Sequence, residues 1–111
     1  MNLEKTNNDP ELKFSPFALT DIKGTWQYVS EQNEDSAKKI IREISEKCKM
    51  LSINPKIGSE RNDLIIGLRL FPHKRYNIYY FITESGVEIY RVLHSSRDNI
   101  QVLDTEIDKL N

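Results

Sequence analysis

The chain has few residues that could crosslink it or bind a metal ion. Its 111 residues include one cysteine, two histidines, four glycines and four prolines. A single cysteine cannot form an internal disulfide, and Cys48 falls on the apolar side of a predicted helix, which favours a buried structural thiol over a reactive one. The histidines and the cysteine show no metal-site spacing, and the sequence has neither a glycine-rich phosphate loop nor a nucleophile motif. The sequence therefore implies no metal and no cofactor.

Long apolar runs are missing as well. No stretch is long enough to span a membrane, and no signal peptide with a hydrophobic centre is found. Hydrophobic residues make up 38% and charged residues 30% of the chain, as in soluble globular proteins, and the length suits one domain with one core. We therefore expect a single cytoplasmic domain with no membrane partner.

A large excess of positive charge is also absent. The formal net charge is −1, whereas proteins that bind RNA or the ribosome are usually strongly basic. Between Gly67 and Asp98 the charge is +2, which leaves −3 for the rest of the chain. The cations of this region are Arg69, Lys74, Arg75, Arg91 and Arg97. Such a patch suits an acidic protein as well as a phosphate backbone, so it does not select a nucleic-acid partner, and we expect none.

The first predicted helix has a clear start. Ser15 and Pro16 are typical of a helix N-terminus, and apolar residues follow at helical spacing, namely Ala18, Ile22, Trp26 and Val29. Gly24 lies inside this pattern, where it weakens the helix by about 1 kcal/mol relative to alanine unless it allows close packing. We expect it to allow close approach of a second helix.

That second helix is predicted to begin near Asn33 and to end before Asn54. Its apolar stripe consists of Ala37, Ile40, Ile41, Ile44, Cys48 and Leu51. The opposite side carries charges of both signs, Glu43 among them, which is typical of a solvated face.

Three strands are predicted after the helices, at residues 68–71, 76–83 and 87–93, where β-branched and aromatic residues are enriched. Residues 72–75 form the first turn and residues 83–86 suit a hairpin, so we expect an antiparallel meander. Period-two geometry sends Tyr76, Ile78, Tyr80 and Ile82 to one face of the central strand and Asn77, Tyr79, Phe81 and Thr83 to the other. Since both faces are partly apolar, we expect helices to cover one and the other to line a concave aromatic surface.

The two ends complete an α+β fold. Residues 1–11 are polar and predict a flexible leader before a single domain at residues 12–111, in which residues 12–14 suit a short edge strand. After Asp98, apolar residues at helical spacing predict a closing helix capped by Asp98 or Asn99. The expected fold is an N-terminal αα-hairpin packed on a small twisted antiparallel β-sheet, with a C-terminal helix.

Four motifs follow one another along the chain, and together they carry a family resemblance. They are Asn54-Pro55-Lys56-Ile57-Gly58, Gly67-Leu68-Arg69, Arg75-Tyr76-Asn77-Ile78-Tyr79-Tyr80 and Val92-Leu93-His94-Ser95-Ser96-Arg97-Asp98. Because the motifs occur in this order, the region from Phe14 to Asp98 resembles the ParE-type toxins of the RelE/ParE superfamily, which occur in bacterial toxin–antitoxin pairs. The resemblance implies the RelE/ParE-like fold described above.

The resemblance also implies a function. It predicts a toxin that inhibits DNA gyrase and replication by binding, and that is neutralised by a cognate ParD-like antitoxin. On this hypothesis the sheet region forms or supports the target-binding surface, with Tyr76 and Tyr80 as aromatic anchors. The candidate residues are Arg69, Arg75, Tyr76, Tyr80, Arg91, His94 and Arg97.

Two alternatives stay open at this point. RelE-like toxins of the same superfamily cut messenger RNA on the ribosome, and cleavage by 2′-hydroxyl attack needs a base, an acid and cations on the phosphate. These groups could come from a tyrosine and from His94, Arg75, Arg91 and Arg97, but the clustered lysines of the RelE-like group are missing. The other alternative is an inactive relative that keeps the fold and binds only an antitoxin.

Several candidate residues also have a structural interpretation. Arg91 is in phase with the apolar residues Ile89 and Leu93, so it could be an inward arginine paired with a carboxylate. His94 at a strand end suits a hydrogen-bonded structural histidine, and Arg97-Asp98 could fasten the last strand to the closing helix. The sequence leaves both kinds of role open.

Overall fold

A helical hairpin and a five-stranded sheet form the part of the chain that the computed structural model describes, residues 9–110, with side chains to residue 104. The elements are β1 (Glu11–Phe14), α1 (Pro16–Gln32), α2 (Glu34–Ile53), β2 (Ser59–Glu60), β3 (Leu68–His73), β4 (Tyr76–Ile82), β5 (Gly86–His94) and α3 (Asn99–Leu110). The sheet order is β1-β5-β4-β3-β2, with β1 parallel to β5 and the other neighbours antiparallel. The predicted α+β arrangement is confirmed. None of the described helices is long and apolar enough to cross a membrane.

Side-chain caps set the ends of the two long helices. The Ser15 hydroxyl accepts a hydrogen bond from the Ala18 N–H at 3.0 Å, and Pro16 follows it at the start of α1. Asn33 ends α1 and starts α2, where its side-chain oxygen accepts from the Ser36 N–H at 2.9 Å. Because a single residue joins the two helices, the chain reverses direction between them and forms the predicted hairpin.

The helical hairpin packs on one face of the sheet. The buried cluster between them comprises Ala18, Ile44, Cys48 and Leu51 from the helices and Tyr76, Ile78, Tyr80, Val87, Ile89 and Val92 from the strands. The predicted placement of Tyr76, Ile78 and Tyr80 on one face of β4 is therefore confirmed. Cys48 is buried as expected, and burial raises the pKa of its thiol to about 12. The thiol is protonated and unreactive at neutral pH.

The opposite face of the sheet is covered too. Tyr79 and Leu93 pack there against Leu68 and against Leu103 of α3, and none of these side chains is more than 2% exposed. The expected concave aromatic surface is therefore covered by α3 around Tyr79, whereas Phe81 and Tyr90 on the same face stay partly exposed, with 5.4 Å between their ring centres. Asp98 caps α3 by accepting a hydrogen bond from a backbone N–H of the first turn at 3.1 Å.

Some strand boundaries differ from the prediction. β3 continues through Pro72 to His73, so the turn consists of Lys74 and Arg75, and Lys74 has a φ of 54°. β4 ends at Ile82, one residue earlier than expected. The sequence does not predict β2, because two residues are too few to show a pattern.

The predicted edge strand at residues 12–14 is confirmed as β1, which begins one residue earlier. Glu11 therefore belongs to the sheet and not to the leader, because it lies opposite Gly86 in the parallel pairing with β5. The rest of the leader prediction falls on residues 1–8, which lie outside the described residues, and on Asp9 and Pro10, which are in neither helix nor strand.

A bulge in β5 changes which residues face the helices. The pairing with β4 shifts between residues 79 and 80, which leaves Tyr90 as an extra residue in β5. Beyond the bulge the alternation is displaced by one position, so Val92 and not Leu93 joins the cluster under the helices. The expectation that Arg91 shares a phase with the apolar residues on both sides of it is therefore wrong.

Glu43 connects α2 to the β3–β4 turn, although the sequence places it on a solvated face. Its carboxylate lies 2.9 Å from the His73 Nε2 atom and 2.9 Å from the Lys74 Nζ atom. Hydrogen bonds from Lys74 and then from His73 lower the pKa of Glu43 from 4.5 to about 2.

This lowered pKa makes the stability of the fold depend on pH. The contribution of Glu43 should be complete above pH 4.5, the pKa in the unfolded chain, and should disappear as the pH falls toward 2. We expect Glu43→Gln to remove this part of the acid sensitivity. Urea unfolding at neutral pH and at a pH between the two pKa values measures it, with Glu46→Gln on the exposed side of α2 as the control. Equal acid sensitivity in the wild type and in Glu43→Gln would contradict the prediction.

Candidate functional site: a cleft between α1 and β5

A cleft of about 560 Å³ opens between α1, the end of β5 and the turn that follows it. Its lining residues are Thr20, Asp21, Gly24, Thr25 and Tyr28 from α1 and Tyr76, Arg91, Val92, His94, Ser96 and Arg97 from the sheet and the turn. We call it the α1–β5 cleft. It brings together Tyr76, Arg91, His94 and Arg97 from the candidate residues and leaves Arg69, Arg75 and Tyr80 outside.

The α1 wall of the cleft is a mostly polar helix face that the sequence analysis missed. Thr20, Gly24 and Tyr28 are spaced by four residues and so lie on one side of α1, with Thr25 beside them. A Cβ atom at Gly24 would meet nothing within 4 Å. The expected close approach of α2 at Gly24 is therefore wrong, because this position opens onto the cleft. The only signal for this face was the spacing of these residues, which the apolar periodicity of α1 masks.

A buried ion pair forms the floor of the cleft. Arg91 donates from Nε to Asp21 Oδ2 at 2.7 Å and from Nη2 to Oδ1 at 2.8 Å. The same carboxylate accepts from the Val92 N–H at 2.9 Å, and the Phe17 ring centre lies 5.7 Å from the guanidinium carbon. The two paired side chains are 10% and 5% exposed. Arg91 is thus an inward arginine with a carboxylate partner, and its charge is compensated.

His94 and Arg97 form the rim of the cleft. The Ser96 N–H donates to His94 Nδ1 at 3.0 Å, so that nitrogen is an acceptor and the neutral imidazole carries its proton on Nε2. The imidazole meets the Tyr76 ring edge to face, with 5.1 Å between the ring centres. Arg97 is exposed, and its guanidinium has no hydrogen bond or ion pair to any other residue in the described part of the chain. It is therefore a positive charge that an incoming group can use.

Asn99 holds this rim in place. Its amide nitrogen donates to the carbonyl oxygens of His94 at 3.1 Å and Arg97 at 2.9 Å. Its amide oxygen accepts from the Asn77 side chain at 2.8 Å and from the Tyr79 hydroxyl at 3.0 Å. Asn99 is only 8% exposed, so this network links the rim to the middle of β4. The sequence marks Asn99 only as a helix-cap candidate, because its partners are brought close by the fold.

The two tyrosines expected as aromatic anchors are both buried. The Tyr80 hydroxyl donates to the Pro55 carbonyl at 2.7 Å and accepts from the Gly58 N–H at 2.9 Å. Tyr80 therefore fastens the loop after α2, and its assignment to a contact surface is wrong. Tyr76 is 9% exposed, and burial raises the pKa of its phenol, with a hydrogen bond to Thr25 acting in the opposite direction. Tyr76 contributes a neutral ring to the cleft.

Two further candidates, Arg69 and Arg75, do not line the cleft. Arg69 donates to the carbonyl oxygens of Gly58 at 3.2 Å and Lys56 at 3.0 Å, and lies 3.4 Å from the Glu60 carboxylate. These contacts make Arg69 a structural residue of the loop before β3. Arg75 is exposed in the β3–β4 turn, and its carbonyl accepts a backbone N–H from the turn after β5 at 2.7 Å.

The cleft offers several groups to a bound ligand, whereas Tyr76 is poorly suited to act as a catalytic base. The Arg97 guanidinium and the hydroxyls of Thr20 and Tyr28 can contact an anionic or polar group. A catalytic base is favoured by a pKa near neutrality, but the pKa of Tyr76 is shifted away from it. Among the residues that the structure describes, no three His, Cys, Asp or Glu side chains are grouped so that they could hold a metal ion.

Comparisons with known proteins agree with this fold. A solved structure described as the chromosomal ParDE TA system from P. aeruginosa superposes with a TM-score of 0.66 and 20% sequence identity, covering 78% of this chain and 97% of the other. None of the curated proteins matches the chain in sequence. The family model described as the ParE toxin of the type II toxin-antitoxin system parDE matches residues 12–99, which confirms the resemblance seen in the sequence motifs. The chain therefore belongs to the ParE toxin family of type II toxin–antitoxin systems.

Proposed function

We propose that this toxin acts in the cytoplasm by binding DNA gyrase, which blocks replication, and that a ParD-like antitoxin neutralises it. The family match over residues 12–99 carries the proposal. The α1–β5 cleft supports a binding mechanism, because the charge of Arg91 is compensated by Asp21 and burial disfavours ionisation of Tyr76.

RNA cleavage has weaker support. Of the cations that a ribonuclease would use, Arg91 is paired with Asp21 and Arg75 lies outside the cleft. That leaves Arg97 on the phosphate, with His94 and a cleft tyrosine as acid and base. A phosphoryl transfer without further cations on the phosphate would lack its main electrostatic stabilisation. We therefore treat RNA cleavage as an outcome that the experiment must distinguish.

An apolar surface supports the antitoxin partner. The side chains of Ile53 and Ile57 are 68% and 54% exposed, and they border a depression of about 520 Å³ at the end of α2. Exposed apolar surface of this kind can receive the apolar side of a helix or strand from a partner that folds on binding. The antitoxin would in that case shield Ile53 and Ile57 from water.

The direct test is supercoiling of relaxed plasmid by gyrase, with the purified chain titrated in. We expect dose-dependent inhibition, and we expect Arg97→Ala to raise the concentration for half inhibition about tenfold, since loss of one interfacial arginine often costs about 1.4 kcal/mol or more. The melting temperature should not change, because the Arg97 side chain is exposed.

Arg42→Ala is the matched control, since Arg42 is also an exposed arginine but lies on α2, outside the cleft. It should inhibit like the wild type. A chain that leaves gyrase unaffected but cleaves messenger RNA on ribosomes would replace the proposal with the ribonuclease. Failure in both assays would indicate an inactive relative that binds only an antitoxin.

A further inference from the structure

Gly24 has no structural reason to be glycine. In a helix interior glycine costs about 1 kcal/mol relative to alanine. Its φ is not positive, and a Cβ atom there would meet nothing within 4 Å. Neither backbone conformation nor packing therefore requires the residue. The missing side chain leaves free space in the α1–β5 cleft, on the face of α1 between Thr20 and Tyr28.

The wall beside this space carries an exposed aromatic residue. Tyr28 is 66% exposed although it lies on the same helix face as Gly24, one turn further along. Tyrosine combines a large apolar ring with a hydroxyl, and it is enriched among residues that dominate protein interfaces. Two turns before it, the Thr20 hydroxyl adds a hydrogen-bonding group to the same wall. The α1 wall is thus suited to a peptide, which presents both apolar and polar groups.

The charge of the cleft selects a small anionic group. Arg91 is compensated by Asp21 on the floor, whereas the Arg97 guanidinium on the rim has no partner within residues 9–104. The nearby Asp98 carboxylate is occupied as the cap of α3. One uncompensated arginine matches one carboxylate, whereas a nucleic-acid backbone is held by several cations at once.

We propose that the α1–β5 cleft binds a short segment of a protein partner through an Asp or Glu side chain. The carboxylate pairs with Arg97, and the segment's backbone passes over Gly24 and lies against Tyr28. This inference rests on the proposed function for its choice of a protein as the partner. It goes further in naming the site, the chemistry of the segment and the role of Gly24.

The probe is the peptide Ac-Leu-Glu-Leu-Glu-NH2, compared with the neutral Ac-Leu-Gln-Leu-Gln-NH2 and with a short oligouridylate. NMR chemical-shift titration of the full chain should show saturable shifts at Gly24, His94 and Arg97 with the Glu peptide. The Gln peptide should bind about fivefold more weakly, as expected for one exposed ion pair. Equal affinity of the two peptides would overturn the proposal, as would tighter binding of the oligouridylate.

Two variants test the two contacts separately. Gly24→Gln places a side chain in the cleft. It should weaken binding of the Glu peptide at least about tenfold, equivalent to about 1.4 kcal/mol. Arg97→Gln should remove the preference for Glu over Gln. Lys38→Gln removes an exposed cation of α2. It should change neither the affinity for the Glu peptide nor the preference for Glu over Gln. Thermal unfolding should show that Gly24→Gln folds at least as stably as the wild type, because a helix interior favours glutamine over glycine. Unchanged affinity in Gly24→Gln would overturn the proposal.

The gyrase assay separates this inference from the proposed function. If gyrase is inhibited equally by the wild type and by Gly24→Gln, the target is gyrase but the cleft does not contact it. The proposed function then stands and only the cleft proposal fails. If gyrase is unaffected while the Glu peptide binds as described, the proposed target fails and the site stands.

Discussion

Replacing Asp21 by alanine is expected to destabilise the fold by about 3–5 kcal/mol, the usual loss when one partner of a buried ion pair is removed. Arg91 would keep its charge at 10% exposure, with the Phe17 ring as its remaining aromatic contact. The Val92 N–H would also lose its acceptor. The expected loss therefore comes mainly from keeping a buried guanidinium after its carboxylate partner has been removed.

Urea unfolding of Asp21→Ala measures this loss, and Glu31→Ala is the matched control, because it removes an exposed carboxylate from the same helix. Glu31→Ala should change the free energy of unfolding by less than about 0.5 kcal/mol. Adding Arg91→Leu to Asp21→Ala should recover part of the loss, since the buried guanidinium is then removed together with the carboxylate. A loss no larger than that of Glu31→Ala would contradict the prediction.

The second large effect is expected at Gly86. A Cβ atom there would overlap the Glu11 carbonyl oxygen and lie 2.6 Å from the Glu11 nitrogen, so it would meet backbone that cannot rotate away. We expect Gly86→Ala to lower the free energy of unfolding by about 3 kcal/mol, the upper end of the usual range for overpacking. It should also push β1 away from β5. The sequence assigns Gly86 to the hairpin turn, but its main constraint is the parallel strand beside it.

Gly24→Ala is the matched control for Gly86→Ala, because the same substitution enters open space in a helix. It should stabilise the fold by about 0.5–1 kcal/mol. Thermal unfolding measures both variants, and amide hydrogen exchange of residues 12–14 reports on the loss of β1 in Gly86→Ala. The prediction is wrong if the two glycine variants shift the melting temperature in the same direction.

Much of the fold follows from local sequence signals. Ser15 and Asn33 cap the helices where the sequence predicts, because capping depends on residues only three positions apart. Tyr76, Ile78 and Tyr80 share the helix-covered face of β4 because strand alternation is equally local. The meander and its order could therefore be predicted.

Features that depend on distant pairing could not be predicted. The bulge at Tyr90 shifts the alternation of β5, and no residue type marks it. Arg69 and Tyr80 look like surface candidates in the sequence, yet both bond to the loop that carries Gly58. The sequence predicts four of the cleft residues as candidates. It does not predict the α1 wall around Gly24, because a glycine in a helix does not indicate which neighbour it faces.

The parallel pairing of β1 with β5 has a consequence for synthesis on the ribosome. The first described strand, with Glu11, finds its hydrogen-bonding partner only in the strand that begins at Gly86. About 75 further residues must therefore leave the ribosome after β1 before this strand can be placed in the sheet. The α1–β5 cleft needs the same late segment for His94 and Arg97. Chains that stop before Gly86 accordingly lack both the parallel pairing of β1 and the β5 side of the cleft.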